Sequence, residues 1–371
     1  MSVRSFAAVF ALVLLVGVSI VQSAASARPQ CLVSNERTNV GSRSLQAAID
    51  AAAPGDTLVV KGTCFGASQI GKDLTLQGVS NKGFGVATLD GGGNGTGVLN
   101  VNSLFDPVTV AISGLTITHG GSGGIFVTGS FSSARVTLAR TTVIDNNGIG
   151  IDGEQASAAL TDSTVTGNTS AGIAGDRFGI TLLRTNVTNN GGVGIGAGNT
   201  IVSVTDSTVS GNALGGIGIS FVGTANLSGS TVSDNDGPGI QLFEADVTLT
   251  NSSVSGNKTS GGGGGINAIE GVATLTNSTV TGNTAGQNGG GFNGAPGEFI
   301  LDKSTVSGNT AGGNGGGIYV NDLLELTDST VSGNTASSGG GIFNDGGTVT
   351  LTGTNSFFDN VPEDCVGVAG C

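Results

Sequence analysis

Four residues in the first half of this chain have types and spacing that could do chemistry. Asp152 and Glu154 stand two apart, and Asp176 with Arg177 follow one repeat later. Glu154 and Asp176 each fall three residues after an isoleucine, Ile151 and Ile173, that holds the same place in successive repeats. Stacking the repeats would therefore put the two carboxylates side by side, with Asp152 next to them. Three carboxylates supply the several oxygen ligands that Ca²⁺ prefers, and Arg177 could then act as a base or as a fork that binds sugar. The competing reading is a solvated loop on an acidic protein, so no catalytic residue is assigned and these four form the set to test.

Other titratable residues read as structural. Arg140, Asp162, Arg184 and Asp206 each precede an anchoring valine by three residues, so they stack in one column of alternating sign, and Lys303 and Asp328 repeat the arrangement. Such cross-strand ion pairs contribute about 0.2–1 kcal/mol each. His119, within Thr118-His119-Gly120-Gly121, takes the place filled elsewhere by Gly211, Gly256 or Asp145, which marks it as a turn residue. The residues flanking the anchor valines, Thr164 with Thr166, Thr208 with Ser210, Thr279 with Thr281 and Thr330 with Ser332, point outward. Two columns of small hydroxyls on a flat face resemble the arrays of ice-binding solenoids, although threonine also suits exposed strands on propensity alone.

The elements that must position these residues are set by one repeated phrase, Ser-Thr-Val-Ser-Gly-Asn. Its final asparagine recurs as Asn146, Asn168, Asn190, Asn212, Asn235, Asn257, Asn283, Asn309, Asn334 and Asn360, at steps of 22 to 26 residues. A period in that range means a solenoid. Three apolar columns keep register with it. One lies three residues before each Asn (Val143, Val165 and successors, ending at Phe357), one lies five residues earlier (Leu138 to Leu326), and one follows (Ile151 to Ile342). Three columns predict three strands per coil, and about eleven to thirteen coils at roughly 4.8 Å give a rod on the order of 55–60 Å. The Gly-Asn pair supplies the left-handed bend, and stacked Asn amides bond along the stack. The later, longer coils carry their extra residues in glycine-rich runs beginning at Ser260, Gly286, Gly312 and Ser337, which are expected to project as loops on one edge.

The two ends have different signals. Residues 1–27 combine Arg4, an apolar run and Ala25-Ser26-Ala27, the pattern of a secretory signal peptide, leaving 28–371 as a single domain. Within it, 44–57 is expected to be an N-terminal cap, 58–360 the coils and 361–371 a C-terminal cap. Ser44 stands as N-cap of a short helix stopped by Pro54-Gly55, and runs such as 58–60, 74–76 and 108–117 read as strands. Cys31 and Cys64 lie near one end, Cys365 and Cys371 near the other, so pairing within each end would staple the stack; zinc is the alternative. The net charge of −13 opposes nucleic-acid binding, and after signal cleavage no segment is apolar enough to span a membrane. A monomer is expected.

From Ser44-Leu45-Gln46-Ala47-Ala48-Ile49 through Asp73-Leu74-Thr75-Leu76-Gln77-Gly78 to the Asn ladder, the chain resembles a right-handed parallel β-helix of the pectin-lyase-like superfamily. Gly316-Gly317-Ile318-Tyr319, Gly340-Gly341-Ile342-Phe343 and Phe357-Phe358-Asp359-Asn360 are also similar to the repeats of chlamydial polymorphic outer-membrane proteins. The fold class implied is an all-β, right-handed parallel β-helix solenoid with a short capping helix. Lyases of this fold, the resemblance implies, use Ca²⁺-binding carboxylates with an Arg or Lys base, and hydrolases use clustered Asp beside Gly-His-Gly, which His119 does not match. The function expected is a secreted or surface-associated module contacting polysaccharide or cell-surface glycan, without a cofactor. The alternatives are a Ca²⁺-dependent lyase of pectate type, a glycoside hydrolase and, more remotely, an ice-binding protein.

Overall fold

The computed structural model describes residues 30–130 and 133–371; the signal peptide expected over 1–27 lies outside them. The three apolar columns each become the inner face of a parallel sheet. In the leucine sheet, Leu138 pairs with Leu160, Leu160 with Leu182 and Leu182 with Val204. Val143, Val165 and Val187 pair likewise in the valine sheet, and Ile151, Ile173 and Ile195 in the isoleucine sheet. The valine and isoleucine sheets have 13 strands each and the leucine sheet 15, the two extra strands belonging to an N-terminal hairpin. Each coil contributes one strand to each sheet, as with Ala156–Thr161, Thr164–Thr166 and Ile173–Asp176. Alternation does the sorting: every second side chain points inward, and the inward ones form one continuous buried core.

Two bends per coil would strand polar backbone inside the rod, and two buried ladders of side chains satisfy it. At the bend after the valine sheet, each Asn accepts from the preceding coil's Asn. Asn235 N and Nδ2 donate to Asn257 Oδ1 at 3.1 and 2.8 Å, and Asn257 Nδ2 reaches Val232 O at 3.1 Å. The left-handed residue here is the one before Asn, such as Gly167 (φ 65°), Asp145 (φ 53°) or Asn189 (φ 54°), while the ladder asparagines keep ordinary φ. At the bend before the valine sheet a second ladder runs through buried hydroxyls. Ser252 N donates to Ser278 Oγ at 3.1 Å, and Ser278 Oγ in turn donates to Thr276 O at 2.9 Å. Nothing in the sequence reading assigned Ser329 or its equivalents this role.

Helix Leu45–Ala51 lies over the first coil, with Ser44 as its N-cap accepting from Ala47 N at 3.3 Å. Beside it, Leu32–Asn35 pairs antiparallel with Thr57–Lys61, which shields the first strand edge of the leucine sheet. Disulfides Cys31–Cys64 and Cys365–Cys371 close the two ends as expected. Two expectations need correction. The run 108–117 is two strands, Val108–Ser113 and Thr116–Thr118, because Gly114 (φ 63°) turns the chain between sheets. The glycine-rich runs do not project as loops. Lys258–Thr259, Thr284–Ala285 and Thr310–Ala311 form a fourth, three-stranded sheet, and the glycines behind them bond coil to coil, Gly264 N to Gly289 O at 3.2 Å and Gly265 N to Gly290 O at 3.1 Å. Close stacking requires glycine there: a Cβ on Gly264 would sit 2.7 Å from Gly290 O.

Candidate functional site

The isoleucine sheet does bring the early acidic residues together. Glu154 and Asp176 are register partners on its outward face, with Asp152 two residues before Glu154 on the same face. Arg177 follows at the left-handed bend (φ 49°), which turns its guanidinium back over the carboxylates. Its Nε donates to Asp176 Oδ2 at 2.9 Å, and Nη2 lies 3.8 Å from Glu154 Oε1. Asn199 Nδ2 donates to Asp176 Oδ1 at 2.7 Å. The Asn199 hydrogen bond first, and Arg177 with it, hold the Asp176 carboxyl below its ordinary range. Asp152 goes the other way: half-burial raises it, and the nearby Glu154 charge adds to the rise. Beneath these residues Phe178 fills the core against Gly153 and Gly175, so the strand carrying the acids is backed by a buried ring.

The remaining titratable residues stay structural. Arg140, Asp162, Arg184 and Asp206 all sit at left-handed bends (φ 47 to 50°), one coil apart, and Arg184 clasps Asp162 at 2.6 and 3.2 Å. Lys303 pairs with its neighbour Asp302 at 3.3 Å and not along the column, while Asp328 Oδ1 accepts from Thr354 N at 2.8 Å. His119 is also a bend residue (φ 53°), with Nδ1 3.1 Å from Asp90 Oδ2. On the valine sheet the outward threonines form the expected columns, and Thr188 Oγ1 donates to Thr166 Oγ1 at 3.2 Å. Among the described residues, no group of three or more His, Cys, Asp or Glu has the placement of a metal site.

Chain positions beyond the acids complete a longer feature. Following the outward column from Asp152, the next coils carry Ala174, Gly196 and Gly218 before the side chain of Gln241 rises again. The result is an open trough of about 550 Å³ along the rod axis, and it shares Gly175 and Asp176 with the acidic hollow. Phe243 and Phe221 stand at its far end, their rings edge to face at 5.7 Å. Beyond Gln241 an amide row continues, Asn267 Nδ2 donating to Gln241 Oε1 at 2.8 Å and Asn293 Nδ2 to Asn267 Oδ1 at 2.7 Å. It ends in Tyr319 stacked on Phe343.

Residues 147–295 match the family model for the right handed beta helix region, over the very coils that build this trough. The chain is a right-handed parallel β-helix. Each of its coils adds one strand to each of three sheets, and an Asn ladder lines one bend. Solved structures similar to this β-helix include the A-module of mannuronan C-5 epimerase AlgE4 from Azotobacter vinelandii, at 16% identity, covering 88% of this chain and 93% of that one with a TM-score of 0.47. Pectate lyase Pel9A is 14% identical over 88% of this chain and 75% of its own, with a TM-score of 0.35. The Dettilon tailspike protein is 10% identical over 80% and 61%, with a TM-score of 0.30. No curated protein matches the β-helix in sequence. Sequence reading found the acidic end of the trough and missed its floor and aromatic end. The one available signal was the step of 23 residues between Asn212 and Asn235, the first departure from 22.

Proposed function

We propose that this β-helix is a secreted or surface-displayed glycan-binding module whose ligand lies in the trough of the isoleucine sheet. The observation that carries the reading is Gly218. It sits inside strand Ile217–Ser220, it is not in the left-handed region, and an added Cβ would find its nearest atom, Ile195 O, only at 4.0 Å. The fold therefore has no need of glycine there, and a strand glycine without a structural need marks a place where something approaches the backbone closely. The trough offers that visitor what a polysaccharide uses: exposed rings for sugar faces, carboxylates and hydroxyls for its OH groups, and a straight path along the axis. Export fits the two disulfides, which persist in oxidising compartments.

Arg177 supports binding over lyase chemistry, because its guanidinium is already held by Asp176 at 2.9 Å and faces Glu154 at 3.8 Å, and so is not free to approach a sugar as a base. The test is affinity electrophoresis against a panel of soluble polysaccharides, with Gly218→Tyr filling the trough. Retardation by at least one polysaccharide, lost in Gly218→Tyr and kept in Thr208→Lys on the valine sheet, is the expected result. Release of unsaturated sugar ends in a Ca²⁺-dependent digest would replace the binding reading with a lyase.

A further inference from the structure

The aromatic end of the trough begins in a coil that is a residue longer than its predecessors, which carries Phe221, and is completed by Phe243 of the next coil. The extra length falls in the turn after Ser220, where Phe221 (φ 52°) and Val222 (φ 51°) are consecutive left-handed residues. A β-branched residue in that region is a genuine outlier, and strain of this kind persists where the surroundings hold it. Here two rungs to the next coil hold it, Phe221 N to Phe243 O at 3.0 Å and Val222 N to Glu244 O at 2.8 Å. The strained turn leaves apolar groups in solvent: Phe221 is 51%, Val222 85% and Phe243 40% exposed. Burying them would have been favourable, so the display of Phe221 and Phe243 over the Gly218 floor is a feature that packing alone does not explain.

Charge narrows what can lie there. Along the trough Asp152, Glu154 and Asp176 are acidic, and the cation among them, Arg177, is taken by two of the three. A polyanionic chain would meet three carboxylates against one cation at one end and bare rings at the other. We infer that the trough takes an uncharged polysaccharide, laid along the rod axis with the C–H faces of its sugar rings on Phe221 and Phe243 and its hydroxyls on Ser220 and Asp152. Ring faces carry the negative part of the aromatic quadrupole and attract the weakly positive C–H bonds of a sugar. Carboxylates are acceptors only, and uncharged hydroxyls are donors that match them. This inference rests on the glycan-binding reading of the same trough and adds the class of ligand.

The experiment measures Kd by calorimetry for soluble uncharged glucans and mannans and for polygalacturonate, at low and high salt, with and without Ca²⁺. The variants are Gly218→Tyr, Phe243→Ala and Phe243→Leu, the last keeping apolar volume without a ring. Expected is binding of an uncharged polymer that salt leaves unchanged, lost in Gly218→Tyr and weakened about threefold to tenfold in both Phe243 variants, where tenfold is 1.4 kcal/mol. If polygalacturonate alone binds and Gly218→Tyr abolishes it, the ligand class is overturned while the glycan trough stands. Equal affinity in wild type and both Phe243 variants also overturns the inference. Failure of every polysaccharide in both classes to bind overturns the glycan-binding reading itself.

Discussion

The side-chain amide of Asn360 donates to Asp364 Oδ1 at 2.8 Å, and there the buried amide ladder ends. The ladder has a direction, since each Asn donates its N and Nδ2 to the Oδ1 of the next coil, and at the last rung no further Asn is available. A carboxylate four residues on takes its place, accepting from Asn360 N as well at 3.3 Å. The opposite end is closed by backbone, Gly120 N donating to Asn146 Oδ1 at 2.9 Å. Because every interior rung both gives and receives, the cost of removing one depends on where it sits.

Asn257→Ala should be the more damaging change. It removes the acceptor of Asn235 N and Nδ2 and the donor to Val232 O, all fully buried, and each orphaned buried group costs about 1–3 kcal/mol. Asp364→Ala frees only the partly buried end, where solvent can substitute, so a loss of about 1 kcal/mol is expected. Urea denaturation of the two variants against wild type checks the ranking; equal losses would mean that the ladder is not cooperative.

Tyr319 gives a second test, because it is the sole tyrosine of a chain without tryptophan. Its hydroxyl donates to Asp345 Oδ2 at 2.5 Å, and this bond, then burial, pushes its pKa up to about 12. The folded value is raised, so the stabilisation is complete below about pH 10 and disappears as pH rises through about 12. Ultraviolet titration of the phenolate band should show one late transition in the wild type. In Asp345→Asn that transition should move back toward pH 10.

What sequence could and could not deliver follows from how each residue type is used. Val331 and Leu326 were legible as interior because each sits at one fixed offset from Asn334, and alternation leaves their direction unambiguous. Ser332 was legible as outward because it flanks Val331, but Ser329 was not legible as interior: it is the same residue type in the same phrase, yet it is buried, its hydroxyl donating to Thr327 O at 2.8 Å. Bends reverse the inside-outside alternation, and a count of residues does not show where the reversal falls. The four acidic-end residues were found because charge is rare here and register is regular. Gly218 was hidden for the opposite reason, being one of 69 glycines, most of whose roles depend on φ or on a neighbouring coil.

Acid should weaken the N-terminal cap. Asp56 is buried and accepts from Arg37 Nε at 2.6 Å and Asn35 Nδ2 at 2.7 Å, and these bonds hold its carboxyl far below the ordinary range. A depressed folded pKa means stability that is present above the unfolded value of about 3.9 and is lost as pH falls below it. Wild type and Asp56→Asn should therefore differ most in melting temperature between pH 5 and 7, and the gap should close steadily below about pH 4. A gap that is constant with pH would show that Asp56 acts by shape and not by charge.

Calcium provides the test of the acidic end. Arg177 stands where a cation over Glu154 and Asp176 would stand, 3.8 Å from one carboxylate and 2.9 Å from the other, and Asn199 already occupies the second oxygen of Asp176. Ca²⁺ needs six to eight oxygens, so it would have to displace both partners before gaining ligands. Millimolar Ca²⁺ is therefore expected to leave the wild-type melting temperature unchanged. Arg177→Ala removes the resident cation and leaves Glu154 and Asp176 adjacent with Asp152 at hand, so like-charge repulsion should lower its melting temperature in calcium-free buffer. Restoration of that loss by Ca²⁺, and not by equal ionic strength of Na⁺, would assign the carboxylates a latent ion-binding capacity that Arg177 suppresses. A Ca²⁺-dependent rise in the wild type itself would reopen the lyase reading of these four residues.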